Sequence, residues 1–149
     1  MNLSPHFTLA ELTHSEYATR NGISNVPGTE ITGNLKRLAE RLELVRSCLG
    51  NKPIVVSSGY RSTKLNAAIG GSKTSAHLMG NAADILCPAF GTPTDMVAAL
   101  RQYSKLLQWD QMILEFPKSK TGGWLHFGLA DKPRGEVLEY DGKSYTRLV

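Results

Sequence analysis

Two of the four histidines in this 149-residue sequence lie where metal chemistry is possible. Ser75-Ala-His77-Leu-Met-Gly80-Asn-Ala-Ala-Asp84 puts an imidazole, a glycine turn and a carboxylate within ten residues. A further imidazole, His126, lies downstream in Trp124-Leu-His126-Phe-Gly128. Hydrolytic zinc sites take three protein ligands from His, Asp, Glu or Cys and leave a fourth position to water. His77, Asp84 and His126 would supply such a set for one zinc ion, Zn2+. Glu115 ends the apolar run Met112-Ile-Leu114 and would lie one strand from His126. A carboxylate there could serve as general base, because zinc lowers the pKa of water to about 7. Arg61, at the start of a helix, could steady a developing oxyanion or hold a substrate carboxylate.

Ordinary readings stand beside these. Single histidines are usually structural or on the surface, and His6 and His14 read as helix-surface residues. Glu115 could mark the exposed end of a strand. Arg61 could cap a loop or pair with a nearby acid. Asp84 is harder to dismiss, because an unpaired carboxylate inside Ala82-Ala-Asp-Ile-Leu86 is costly to bury. Gly70-Gly-Ser-Lys-Thr74 lacks the glycine spacing of a phosphate loop.

The elements that must position these groups follow from periodicity and capping. Thr8-Leu-Ala-Glu11 is a capping box, and a helix from there is expected to run to about Gly22. Ile31, Leu35, Leu38, Leu42, Val45 and Leu49 form the clearest helical stripe, which Gly50 ends. The run 53–58 reads as a strand, and Ser62 caps a short helix through Ile69. His77 and Asp84 would share a face on one straight helix; Gly80 instead predicts a turn, with Asp84 on a strand over 82–87. In that strand Asp84 faces one side with Ala82, and Ala83 and Ile85 face the other. Thr92-Pro93-Thr94-Asp95 starts a helix with Met96, Ala99, Leu100, Tyr103 and Leu107 on its inner face. Strands over 110–115 and 123–128 follow, joined by a basic turn. Asp141-Gly142 predicts a type I′ hairpin between 136–140 and 144–148.

One α+β domain over 1–149 is expected: a small, mainly antiparallel sheet with helices packed on it. It divides into a helical part at about 8–50, a core at about 53–130 and a hairpin at about 134–149. Length and an apolar content of 41% suffice for a core without disulfides. Cys48 and Cys87 read as small buried residues. A net charge of +4 fits an anionic partner but does not choose among nucleic acid, membrane surface and wall polymer. No signal-peptide pattern opens the sequence and no apolar run is long enough for a membrane span. A chain made in the cytoplasm is expected, acting on an external substrate only after delivery.

Ser75-x-His77-x-x-Gly80-x-Ala82-x-Asp84 resembles the central motif of the zinc D-Ala-D-Ala carboxypeptidase and endopeptidase family. Ser58-Gly-Tyr-Arg61-Ser62, Leu65-Asn66, Gly70-Gly-Ser72, Trp124-Leu-His126 and the opening Ser4-Pro-His-Phe-Thr-Leu-Ala-Glu11 are similar to its small phage-encoded members. The resemblance covers nearly the whole chain to about residue 130. It implies the hedgehog/DD-peptidase fold, with His77, Asp84 and His126 as zinc ligands and Ser75 and Arg61 holding substrate. It also implies hydrolysis of peptidoglycan stem peptides or cross-links, by an endolysin or a virion-borne wall hydrolase. Many relatives carry the catalytic acid three residues before the last ligand, where this chain has Gly123, so the base is expected from elsewhere, with Glu115 the candidate. The rival expectations are a non-catalytic zinc-containing module that binds wall or protein and, last, a basic nucleic-acid binder. A monomer with no nucleic-acid or integral-membrane partner is expected.

Overall fold

The stripe of leucines and valine between Ile31 and Leu49 folds as one long helix, and the rest of the chain builds a sheet against it. The computed structural model describes residues 1–148. A short antiparallel pair, β1 (Asn2–Ser4) and β2 (Phe7–Thr8), leads into α1 (Leu9–Thr13) and α2 (Glu16–Arg20). Next come α3 (Thr29–Cys48), β3 (Val55–Ser58), α4 (Thr63–Ala68), a 3₁₀ turn at Ala76–Met79 and β4 (Ala82–Leu86). The chain continues through α5 (Pro93–Leu100), a 3₁₀ turn (Arg101–Tyr103), α6 (Ser104–Leu107), β5 (Gln111–Glu115) and β6 (Trp124–Gly128). It ends in β7 (Glu136–Tyr140) and β8 (Tyr145–Arg147). No described helix is long and apolar enough to cross a membrane.

Six strands form one sheet in the order β3-β4-β6-β5-β7-β8. Every neighbouring pair is antiparallel except β5 with β7, which run parallel. The class is therefore the α+β architecture expected, with a mainly antiparallel sheet. The period-2 alternation of strands separates two faces. Ala83 and Ile85 of β4, Met112 and Leu114 of β5, Leu125 and Phe127 of β6 and Val137 of β7 are buried. They join Leu35, Leu38, Ala39, Leu42 and Val45 of α3 in a single apolar cluster. Asp84, Glu115 and His126 lie on the opposite face. Large aliphatic side chains of this kind each stabilise the fold by about 1.5–3 kcal/mol when fully buried.

Several expectations are corrected. The single helix over 8–22 is two short helices: His14 is extended (ψ 136), and Ser15 caps α2 by accepting from the Ala18 amide. A serine at that position offers the backbone an N-cap, which favours a fresh start over continuation. The capping box at Thr8 and Glu11 is present. His6 and His14 are not on helix faces. His6 lies in the β1–β2 turn and meets Glu43 at 2.8 Å, and His14 ends α1. The helix from Pro93 breaks at Arg101, so Tyr103 turns to the surface while Met96, Leu100 and Leu107 are buried. The C-terminal hairpin has a four-residue connection, 141–144, rather than a type I′ pair. Asp141 holds it by accepting from the amides of Lys143 and Ser144. Of its residues only Gly142 has positive φ, whereas type I′ requires two. Both cysteines are free, with Cys87 buried and Cys48 partly so.

Candidate metal centre and active-site cleft

Ser75 starts the site by capping the 3₁₀ turn, its Oγ accepting from the His77 amide at 3.2 Å. Gly80 ends that turn at φ 70, the left-handed conformation that glycine adopts without a Cβ penalty. A side chain there would also press on Ile31 and Leu35 of α3. The chain then enters β4, so Asp84 projects from a paired strand. Asp84 lies directly opposite His126 in the β4–β6 register. The expected turn-then-strand placement of His77 and Asp84 is what the structure shows.

His77 Nδ1 lies 2.7 Å from the Gly59 carbonyl, so that nitrogen carries the proton and donates. Its Nε2 is left facing Asp84 Oδ1 at 3.3 Å. His126 turns Nδ1 toward the same oxygen, also at 3.3 Å. The two rings meet edge to face with centroids 5.1 Å apart. One donor atom from each of His77, Asp84 and His126 lies within 4.8 Å of the others. Gly59 itself sits where a Cβ would overlap the Leu12 carbonyl, and the neighbouring Tyr60 amide donates to that same carbonyl at 2.7 Å. Helix α1 thus fixes the carbonyl that orients His77.

The electrostatics suit a cation. Asp84 Oδ1 is buried without a hydrogen-bond partner, an arrangement too costly to leave uncompensated. Burial alone would raise the Asp84 carboxyl. The His126 and His77 imidazoles facing it outweigh this and hold the group well below the ordinary carboxylate range. Two imidazole nitrogens and a carboxylate oxygen are the donor set of a zinc site with an open fourth position. The hydrogen bond from His77 to Gly59 is the outer support such ligands normally carry.

Glu115 lies on β5, beside β6, with Oε2 4.0 Å from His126 Nδ1. The Trp124 indole N–H donates to the same Oε2 at 2.8 Å. Burial pushes Glu115 up, and the Asp84 charge adds to this. The His126 charge and the Trp124 hydrogen bond pull it partly back. Gly123, the position where many relatives carry the acid, has φ 69, and a Cβ there would overlap the Glu115 carbonyl oxygen. No side chain fits at position 123 with this backbone.

Arg61 approaches from the other wall. Its amide donates to the His77 carbonyl at 3.1 Å, and its guanidinium reaches Ser75 Oγ at 3.4 Å. Its Nε is buried without a partner. Burial lowers the Arg61 pKa, against the pull of Asp84 and Glu115. Asn25 braces this segment by accepting from the Ser62 amide and donating to the Tyr60 carbonyl.

All six expected site residues, Arg61, Ser75, His77, Asp84, Glu115 and His126, line one cleft of about 840 Å3. Sequence reasoning missed the Gly59 carbonyl, the Trp124 indole and the wall formed by Phe116, Tyr140 and Tyr145. The Trp-x-His spacing was the one available signal for Trp124. Loops 88–93 and 117–122 do not line the cleft. The segment from Ile69 to Ser75, the stretch from Gly128 to Ala130 and the C-terminal hairpin do.

Comparison with known proteins agrees with this geometry. The zinc D-Ala-D-Ala carboxypeptidase of Streptomyces albus G is 34% identical over 80 residues, which are 54% of this chain and 31% of that protein. The chain thus matches less than a third of that relative's length. A family model described as peptidase M15 matches residues 5–112, a span that includes Arg61, Ser75, His77 and Asp84 and stops before Glu115 and His126. Since that match takes in well over half of the sequence, this chain belongs to the peptidase M15 family.

Proposed function

We propose that this chain is a zinc peptidase that hydrolyses peptide bonds in the stem peptides or cross-links of bacterial peptidoglycan. The observation that carries this reading is the position of Glu115. A carboxylate with a raised pKa stands 4.0 Å from one imidazole of a His-Asp-His donor set, inside a cleft large enough for a peptide. His77 Nε2, Asp84 and His126 Nδ1 would hold the ion. Zinc bound there supplies a Lewis acid that polarises a carbonyl and acidifies water. The protein's own groups do the rest. Glu115 takes the proton of the attacking water and returns it to the departing amine. The Arg61 guanidinium, steadied by Ser75, faces the negative charge that develops on the carbonyl oxygen. Trp124 fixes the Glu115 carboxylate through its indole N–H.

The cell-wall substrate is supported by the D-Ala-D-Ala carboxypeptidase activity for which the Streptomyces relative is named and by the net charge of +4, which suits an anionic wall. A lysin released from its producing cell, or a virion-borne hydrolase, is the delivery consistent with this role. Incubation with purified sacculi, scored for new free amines and for muropeptide masses, tests the reading. New amines that vanish on chelation and return with zinc are expected, and the masses assign the bond as a D-Ala-D-Ala terminus or a cross-link. Binding to sacculi without amine release would mark a non-catalytic module instead. Salt-sensitive DNA binding without wall affinity would mark a nucleic-acid binder.

A further inference from the structure

Four side chains form one row across four adjacent strands on the cleft face of the sheet. Trp124 of β6 is opposite Glu115 of β5, Glu115 is level with Tyr140 of β7, and Tyr140 is opposite Tyr145 of β8. The two tyrosines stack, with centroids 4.5 Å apart and planes tilted by 27°. Tyr145 nevertheless stays 59% exposed, so one ring face is backed by Tyr140 and the other is open. The hairpin that carries them is pinned beside the site. The Phe116 amide donates to the Tyr140 carbonyl at 2.9 Å, and Gly142 sits where a Cβ would press on the Phe116 ring. Phe116 in turn packs on Trp124 and Tyr140. Both tyrosines line the cleft that holds the donor set.

We infer that the C-terminal hairpin is a substrate-recognition wall, and that the open face of Tyr145 takes a pyranose ring of the glycan to which the stem peptide is attached. This rests on the peptidoglycan reading above. The class of ligand follows from shape and distance. A flat aromatic face with a hydroxyl at its edge meets the C–H face of a sugar while its rim hydroxyls stay hydrogen-bonded. Three strand spacings separate β6 from β8, roughly 14 Å. An extended peptide covers that in about four residues, the length of a stem peptide between its far end and the muramic sugar. A cleft of 840 Å3 is also near the upper end of the range for small-ligand sites, more than the two residues flanking a scissile bond require.

The test compares two substrates, a cross-linked muropeptide bearing its N-acetylglucosaminyl-N-acetylmuramic acid disaccharide and the same peptide without sugar. The zinc-loaded wild type is expected to favour the first in kcat/KM by about fivefold, mainly through KM. Tyr145→Ala should erase that preference and Tyr145→Trp should keep it. Equal use of both substrates by the wild type, or an equal loss on both in Tyr145→Ala, would overturn the inference. If neither substrate is cut, the peptidase reading has failed, and titration with the free disaccharide decides about the wall separately. A shift of the Tyr140 ring signals by NMR that disappears in Tyr145→Ala supports the sugar site, and no tyrosine-ring shift in the wild type overturns it.

Discussion

The inner and outer halves of the cleft are built by different means. The inner half comprises Arg61, Ser75, His77 and Asp84, all within the stretch matched by the family model. Its geometry comes from two short-range devices, a serine cap and a left-handed glycine, together with one carbonyl from a separate segment that grips an imidazole. The outer half comprises Glu115, Trp124, Tyr140 and Tyr145. Nothing local aims these side chains. They meet because β5 pairs antiparallel with β6 on one side and parallel with β7 on the other. His77 and Asp84 are thus joined by a local turn, whereas His126 is brought to them by strand register. Glu115, Trp124, Tyr140 and Tyr145 are placed by register across the same sheet. At Gly123 the backbone admits no side chain, and the cleft carboxylate nearest His126 other than Asp84 stands one strand away, at Glu115.

This contrast can be broken most severely at the inner half. His77→Ala is expected to abolish zinc binding, measured by metal analysis of the purified protein, and to lower hydrolysis by about a thousandfold or more. A variant that retained both would remove His77 from the donor set. At the outer half, Glu115→Gln should lower kcat by about 10²–10⁴ while zinc stoichiometry stays at the wild-type level. Full wall-lytic activity with zinc bound would remove Glu115 as the base.

Gly123→Asp sharpens the same point. Placing an acid where many relatives have it should not rescue Glu115→Gln, because a Cβ at that position overlaps the Glu115 carbonyl. Thermal unfolding should reveal lower stability of the single variant, by at least the 1–2 kcal/mol, roughly, of forcing a side chain into the left-handed region. Rescue with unchanged stability would contradict the backbone argument. Trp124→Phe keeps the ring and removes only the N–H given to Glu115. A loss of about tenfold in kcat/KM is expected, smaller than that of Glu115→Gln, with zinc retained. An equal loss in the two variants would mean that the indole does more than position the carboxylate.

The smallest expected effect lies away from the cleft. Burial opposes ionisation of Glu43, but hydrogen bonds from Ser4 and His6 prevail and hold its carboxyl below the ordinary glutamate value. Its contribution to stability is therefore present above the unfolded glutamate pKa and is lost as pH falls through the lower folded value. Denaturant midpoints measured across that acid range should fall less steeply in Glu43→Gln than in the wild type. Identical slopes would show that this tie of β1 to α3 carries no pH-dependent stability.

Much of the inner half was legible in the sequence because its signals are local. The leucine stripe of α3, the caps at Thr8, Ser62 and Thr92, the turn at Gly80 and the alternation through Ala82–Leu86 each depend on residues within a few positions. The misreadings arose where a local signal had two outcomes. The segment after Thr8 could continue as one helix or restart at Ser15, and the restart prevailed because serine caps it. The helix after Pro93 could run on to Leu107, and it broke at Arg101, which turned Tyr103 outward.

Sequence by itself determined the residue types of the site and the spacing of two of them. His77 and Asp84 are joined by a turn that only a glycine makes comfortably, and an aspartate among buried residues demands a cation or a donor. The tertiary structure alone decided that His126 completes the set, through its register with Asp84, and that Glu115 and the tyrosine wall face the same space. The physical reason is range. Capping and turn energies act between neighbours in the chain. Strand register is fixed by burying one face of a whole sheet against α3, and no short stretch of sequence contains that constraint.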